Sequence, residues 1–148
     1  MSVDVTTEIV INKWVPEVAA FSTNPDNAPK WRSGIKSVEW KTPRPLRAGT
    51  RVAFVNRFLG RKVAHVYEVV EFVPSERLIM RSRDGAFPML HAYTWSPAEL
   101  GGTRMTLRSC SFPNGMMSWL SPIVSLAIAH ANRTYLARLK SLLERPSV

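Results

Sequence analysis

Four side chains in this sequence could move protons or orient a polar group inside an apolar space: His65, Tyr67, His91 and Tyr93. Each histidine stands two residues before its tyrosine, and in an extended strand residues i and i+2 share a face. Histidine is the side chain whose ordinary pKa lies near neutrality. An acid–base cyclisation or dehydration would therefore have to rely on His91 or His65 with Tyr93 or Tyr67, which makes His91, His65 and Tyr93 the candidate catalytic residues. The same residues also make sense as hydrogen-bonded members of a core, and the sequence leaves both readings open. No carboxylate pair shares their face by strand parity, Glu71 being the one doubtful case. No nucleophile–base–orienter set for covalent catalysis is present.

Other chemistries find little support. Cys110 is the single cysteine, with no His or Cys companion at ligand spacing, so no metal, no cofactor and no intramolecular disulfide is expected. It suits a reducing cytoplasm, and a structural role is expected for it. Met1 to Val10 holds Asp4 and Glu8 and lacks a basic lead into an apolar run, so no leader peptide is expected. The longest apolar stretch, 123–131, is interrupted by Ser125 and His130 and is too short to span a bilayer. A length of 148 residues with 45% hydrophobic and 21% charged residues fits one folded domain over 1–148.

The elements that must position the histidines follow from periodicity. Val5, Thr7, Ile9 and Ile11 alternate with Asp4, Thr6 and Glu8, the pattern of a half-buried strand. Asn12 is placed to cap a short helix, Trp14 to Ser22, with Pro16 in its first turn, and Asp26 to cap a second one reaching Trp31. Strands are then expected over 35–41, 51–58, 62–72, 77–83, 89–95 and 103–112. Thr42-Pro43-Arg44-Pro45, Gly60, Pro74-Ser75-Glu76, Asp84-Gly85 and Gly101-Gly102 supply the turns. Such a series describes an antiparallel meander of about seven strands. Met116 to Glu144 changes to helical period, with Pro122 separating a lead-in turn from the main rod. Leu120, Val124, Ile128, Ala131, Tyr135, Leu136, Leu139, Leu142 and Leu143 fall on one face of it, and His130, Arg133, Ala137, Lys140 and Glu144 opposite. Only the sheet is available to cover that apolar face.

Read in order, these stretches resemble the SRPBCC superfamily, with its START-like or helix-grip fold, and in particular the polyketide cyclase/dehydrase-like branch. The resemblance is carried by Thr7 to Ile11 with Val15 to Phe21, and by Asn24-Pro25-Asp26-Asn27-Ala28-Pro29-Lys30-Trp31. Gly49-Thr50-Arg51, Tyr67-Glu68-Val69 before Pro74, Gly102-Thr103-Arg104 and Leu136 to Lys140 carry the rest. It implies an α+β helix-grip fold, two short helices after the first strand, and a deep cavity between the sheet and the last helix. It implies no shared catalytic motif, because fold does not settle function.

Strand parity then assigns the cavity wall. Val52, Phe54, Asn56 and Phe58 should face inward, as should Leu78, Met80 and Ser82, then Met89, His91, Tyr93 and Trp95, and Met105, Leu107, Ser109 and Ser111. Val63, His65, Tyr67 and Val69 join them if residues 62–72 take that phase, but Ala64, Val66 and Val70 form a nearly equal set. From the helix come Val124, Ile128, Tyr135 and Asn132, the last lying within the apolar arc. Trp119, beside Met116, Met117 and Leu120, is the candidate lid, and Trp14, Trp31 and Trp40 are expected near strand or helix ends by the mouth, Trp31 in a structural role packing the two short helices. An apolar wall with sparse hydrogen-bonding groups describes a small-molecule pocket; a filled core with satisfied polar groups is the competing description. The leading expectation is binding or transport of a hydrophobic molecule (lipid, polyketide or aromatic), followed by a polyketide cyclase or dehydratase, then a basic interaction module.

The net charge of +9 bears on the last of these. Arg51, Arg57, Arg81, Arg83, Arg104 and Arg108 share the outer phase, while the aromatics point inward. A nucleic-acid site needs stacking aromatics along a basic groove, so no specific nucleic-acid partner is expected. Loose contact with an anionic membrane stays open. Monomer and homodimer are both compatible.

Overall fold

The computed structural model describes residues 3–58, 60–82, 88–111 and 119–145, with all their side chains except those of residues 57 and 58. Seven strands form one open antiparallel sheet in the order β1-β7-β6-β5-β4-β3-β2. They are β1 (Val3–Ile11), β2 (Ile35–Trp40), β3 (Arg51–Phe58), β4 (Arg61–Val73), β5 (Arg77–Arg81), β6 (Met89–Pro97) and β7 (Thr103–Ser111). Strands β2 to β7 are a meander, each antiparallel to the next. β1 instead pairs with β7 at the far edge, so the chain must cross from one edge to the other before β2 begins. It does so through α1 (Val15–Thr23), a 3₁₀ turn (Pro25–Asn27) and α2 (Ala28–Trp31). The long helix α3 (Ser121–Leu143) packs along β1 and against α2.

Alternation is clear in β7, whereas β3 buries Val52, Ala53, Phe54 and Val55 in succession. Met105, Leu107, Ser109 and Ser111 are buried while Arg104 and Arg108 are exposed. β3 places His65 opposite Phe54 and Tyr67 opposite Val52, which puts the His65–Tyr67 set of β4 on the inner face. A bulge between Val69 and Glu71 then leaves Val70 unpaired and 43% exposed, and restores Phe72 to the same side as Val69, opposite Leu78. β2 carries another irregularity between Ile35 and Ser37, and its outward edge presents exposed Lys36, Ser37 and Glu39.

Four arginines of the outer face are paired across strands. Arg108 meets Asp4 at 2.7 Å, Arg104 meets Glu8 at 2.7 Å and Arg81 meets Glu68 at 3.1 Å, while Arg77 pairs with Glu71. Exposed pairs of this kind contribute at most about 1 kcal/mol each, but they do spread the basic charge over a solvated face. Arg57 and Arg83 lie outside the described side chains.

Several local expectations give way to longer-range contacts. Asn12 does not cap α1: Trp14 occupies that position without a side-chain bond, and the Asn12 N–H donates to Glu144 Oε2 at 2.9 Å. Asp26 does not cap α2. Asn24 Oδ1 accepts from the Asp26 N–H at 3.1 Å, while the Asp26 carboxylate accepts from Trp40 Nε1 at 2.9 Å and pairs with Arg44. Lys140 and Glu144 do not simply face solvent. Lys140 Nζ donates to the Val10 carbonyl at 2.7 Å and meets Glu144, so together they tie the end of α3 to the β1–α1 corner. The helix is described from Ser121, with Pro122 in its first turn; residues 116–118 lie outside the described residues.

Candidate functional site

The inner face holds a buried run of polar groups. β6 and β7 set His91 directly opposite Ser109, and His91 Nδ1 lies 2.7 Å from Ser109 Oγ. From α3, Asn132 Nδ2–H donates to the same Ser109 Oγ at 2.9 Å. From β4, Tyr67 Oη reaches His91 Nε2 at 3.3 Å. Three strands and the helix thus join through Tyr67–His91–Ser109–Asn132, and His91, Ser109 and Asn132 are each buried. If the Tyr67 hydroxyl donates to Nε2, then Nδ1–H donates to Ser109; the opposite tautomer reverses both bonds.

Burial decides what these groups can do. It pushes the His91 pKa down to about 3, helped by the positive charge of Arg32, so His91 is neutral at neutral pH. The expectation that His91 titrates near neutrality is therefore corrected. Burial likewise raises Tyr67 to about 12, against the opposing charge of Arg32. An acid–base group works best with a pKa near the working pH, and these two sit far on either side. They are suited to orienting a polar atom. His65 is half-buried on the same inner face, opposite Phe54 and apart from this network.

Around the network stands an aromatic wall. Phe54 meets Tyr67 edge-on at 5.7 Å, Trp31 meets Tyr93 edge-on at 6.3 Å, and Tyr93 stacks on Trp95 at 6.3 Å. Met80, Ser82, Tyr93, Trp95 and Leu107 are buried as expected, while Asn56, Met89, Val124, Ile128 and Tyr135 are half-buried. The Phe58 side chain lies outside the described set. Trp119 stands 68% exposed, on the surface before α3 rather than in the wall, while Trp31 is 1% exposed and packs in the core, in keeping with a structural role. Cys110 is structural in character: burial raises its thiol pKa, with Asp4 adding to the effect.

Parity reasoning missed Arg32, which follows α2 in a turn where no period applies. Its Nη1–H donates to Tyr93 Oη at 3.1 Å, and its guanidinium lies 6.0 Å from the Phe54 ring and 5.5 Å from that of Tyr135. Beside it is a void of about 20 Å³, room for one water. A basic residue at a helix end has a simpler explanation in the helix dipole, which is why sequence offers no signal for an inward role.

A larger hollow of about 470 Å³ lies elsewhere, between α1 and the β2–β3 and β4–β5 connections, lined by Ala20, Thr23, Leu46, Phe72 and Pro74 among others and by no residue of α3. Arg44 lies 4.6 Å over the Trp40 ring at its side. The sequence marks Thr42 to Pro45 only as a loop. Among the described residues no group of three or more His, Cys, Asp or Glu could hold a metal, and no helix is long and apolar enough to cross a membrane.

Comparison with known proteins bears on the fold and the family. A family model described as polyketide cyclase / dehydrase and lipid transport matches residues 2–144. Among solved structures, TTHA0849 from Thermus thermophilus is 20% identical with a TM-score of 0.76, covering 93% of this chain and 94% of that one. The di-domain ARO/CYC BexL from the BE-7585A biosynthetic pathway is 16% identical with a TM-score of 0.80, covering 95% of this chain and 46% of that one. A START superfamily protein from Mycobacterium smegmatis is 10% identical with a TM-score of 0.72, covering 94% and 98%. No curated protein matches. These likenesses agree with the open antiparallel sheet, the two short helices and the long C-terminal helix of the helix grip, and the chain belongs to the polyketide cyclase / dehydrase and lipid transport family.

Proposed function

We propose that this domain binds or carries an apolar small molecule between the inner face of the sheet and α3, and holds it by a polar handle. The observation that carries the reading is the neutral Tyr67–His91–Ser109–Asn132 network set into an aromatic wall. A core needs no such cluster for packing, and a pocket uses a few convergent polar groups to orient an apolar guest. The front of α3 supports it: Val124 and Ile128 are only half-buried although they face the sheet's side of the helix. Binding ranks above turnover because His91 and Tyr67 both stay neutral near pH 7. The outer hollow is the weaker host, since its one cation, Arg44, is already paired with Asp26.

Native mass spectrometry of protein purified without detergent, with titration of the neutral dye N-phenyl-1-naphthylamine, tests this. A co-purified apolar adduct or saturable dye binding is expected, and Ile128→Trp, which would fill the proposed space under α3, should abolish it. Absence of both in the wild type overturns the reading.

A further inference from the structure

Arg32 is a cation with no counter-ion among the described residues. Among the described residues no carboxylate lies within ion-pair distance of it, and the other arginines without one, Arg47, Arg51, Arg61, Arg133, Arg138 and Arg145, are exposed whereas Arg32 is half-buried. Among the described residues its one side-chain hydrogen bond goes to the Tyr93 hydroxyl, its Nε–H is buried with no partner, and the rings of Phe54 and Tyr135 flank it. Arginine keeps its proton at any physiological pH. A charge held partly out of water without a charged partner is costly, and such groups cluster at functional sites.

The surroundings say what kind of ligand. Trp31, Arg32 and Tyr93 all line the small void beside the guanidinium. Trp31 Nε1–H is also buried without a partner. Tyr93 Oη accepts from Arg32 and so keeps its own proton to give. Three adjacent residues therefore offer donors, one of them charged, and a charged donor set of this kind selects an anionic oxygen pair. The water-sized void fits the approach of such a group, not of a whole guest.

We infer that Arg32, with Trp31 and Tyr93, receives the carboxylate of an apolar guest whose hydrophobic body lies along the inner wall toward His91. This rests on the binding reading above and names the ligand class: an apolar acid rather than a neutral lipid or hydrocarbon. Arg32 is then a specificity-determining residue.

The test compares 2-naphthoate with its neutral isostere 2-naphthalenemethanol by calorimetric titration of the wild type, Arg32→Lys and Arg32→Met. The wild type should prefer the acid by at least ~10-fold, in line with a hydrogen bond to a charged group. Arg32→Met should lose that preference while still binding the alcohol, and Arg32→Lys should keep part of it. Equal affinities in the wild type, or an acid preference that survives in Arg32→Met, overturns the assignment while leaving the pocket intact. Binding of neither probe overturns the pocket and the assignment with it. The wild-type ratio decides even if Arg32→Met does not fold.

Discussion

The two halves of α3 are built for different tasks. In the rear half, Leu136 and Leu139 are buried, Arg138 Nε–H donates to the Lys30 carbonyl at 2.7 Å, and Lys140 and Glu144 hold the β1–α1 corner. In the front half, Ile123 is 64% and Leu126 73% exposed, and Val124 and Ile128 are only partly covered. Asn132 marks the boundary, where the helix bonds to Ser109. One helix thus serves as an anchor at its rear and as an incompletely covered roof at its front. Close packing and exposure are separated along a single rod.

Three outcomes would break or sharpen that contrast. The largest is Leu139→Ala: truncating a fully buried leucine should cost roughly 2–5 kcal/mol, read as a fall in the urea midpoint at constant slope. A cost below about 1 kcal/mol would mean the rear half is not the anchor. Next comes acid. His91 has a folded pKa of about 3 against roughly 6.5 unfolded, so its contribution is fully present above pH ~6.5 and is lost as pH falls toward 3. The loss should approach about 1.4 kcal/mol per pH unit within that window, and His91→Gln should flatten it in urea titrations from pH 7 to pH 4. A wild type as stable at pH 4 as at pH 7 would show that His91 is not held neutral. Smallest is Leu126→Ala, expected to change stability by no more than about 0.5 kcal/mol. A loss like that of Leu139→Ala would make the front half as structural as the rear.

Much of this was legible from period alone. Two-fold alternation placed Leu107, Ser109, His91 and Tyr93 inside, and helical period placed Asn132 in the apolar arc. The phase of β4 was not legible, because Ala64 and Val66 are as apolar as their neighbours; only pairing with β3 decides it. Caps were misread because Asn12 and Asp26 have the right local chemistry, yet Glu144, Trp40 and Arg44 engage them from far along the chain. The Tyr67–His91 contact spans non-adjacent strands, so spacing could propose the faces but not the network. Arg32 escaped altogether, since a turn residue has no face until the fold gives it one.

The free margin of β2 has a consequence for life at high concentration. A meander left open on one side offers unpaired backbone to any passing strand, the usual route to aggregates. Here that border is short, broken by the irregularity between Ile35 and Ser37, and fringed by Lys36 and Glu39. A second molecule trying to extend the sheet there meets a kinked, charged rim, while the opposite border is shielded by the helix packed along β1. The strand that the crossing helices leave outermost thus carries the features that disfavour strand addition.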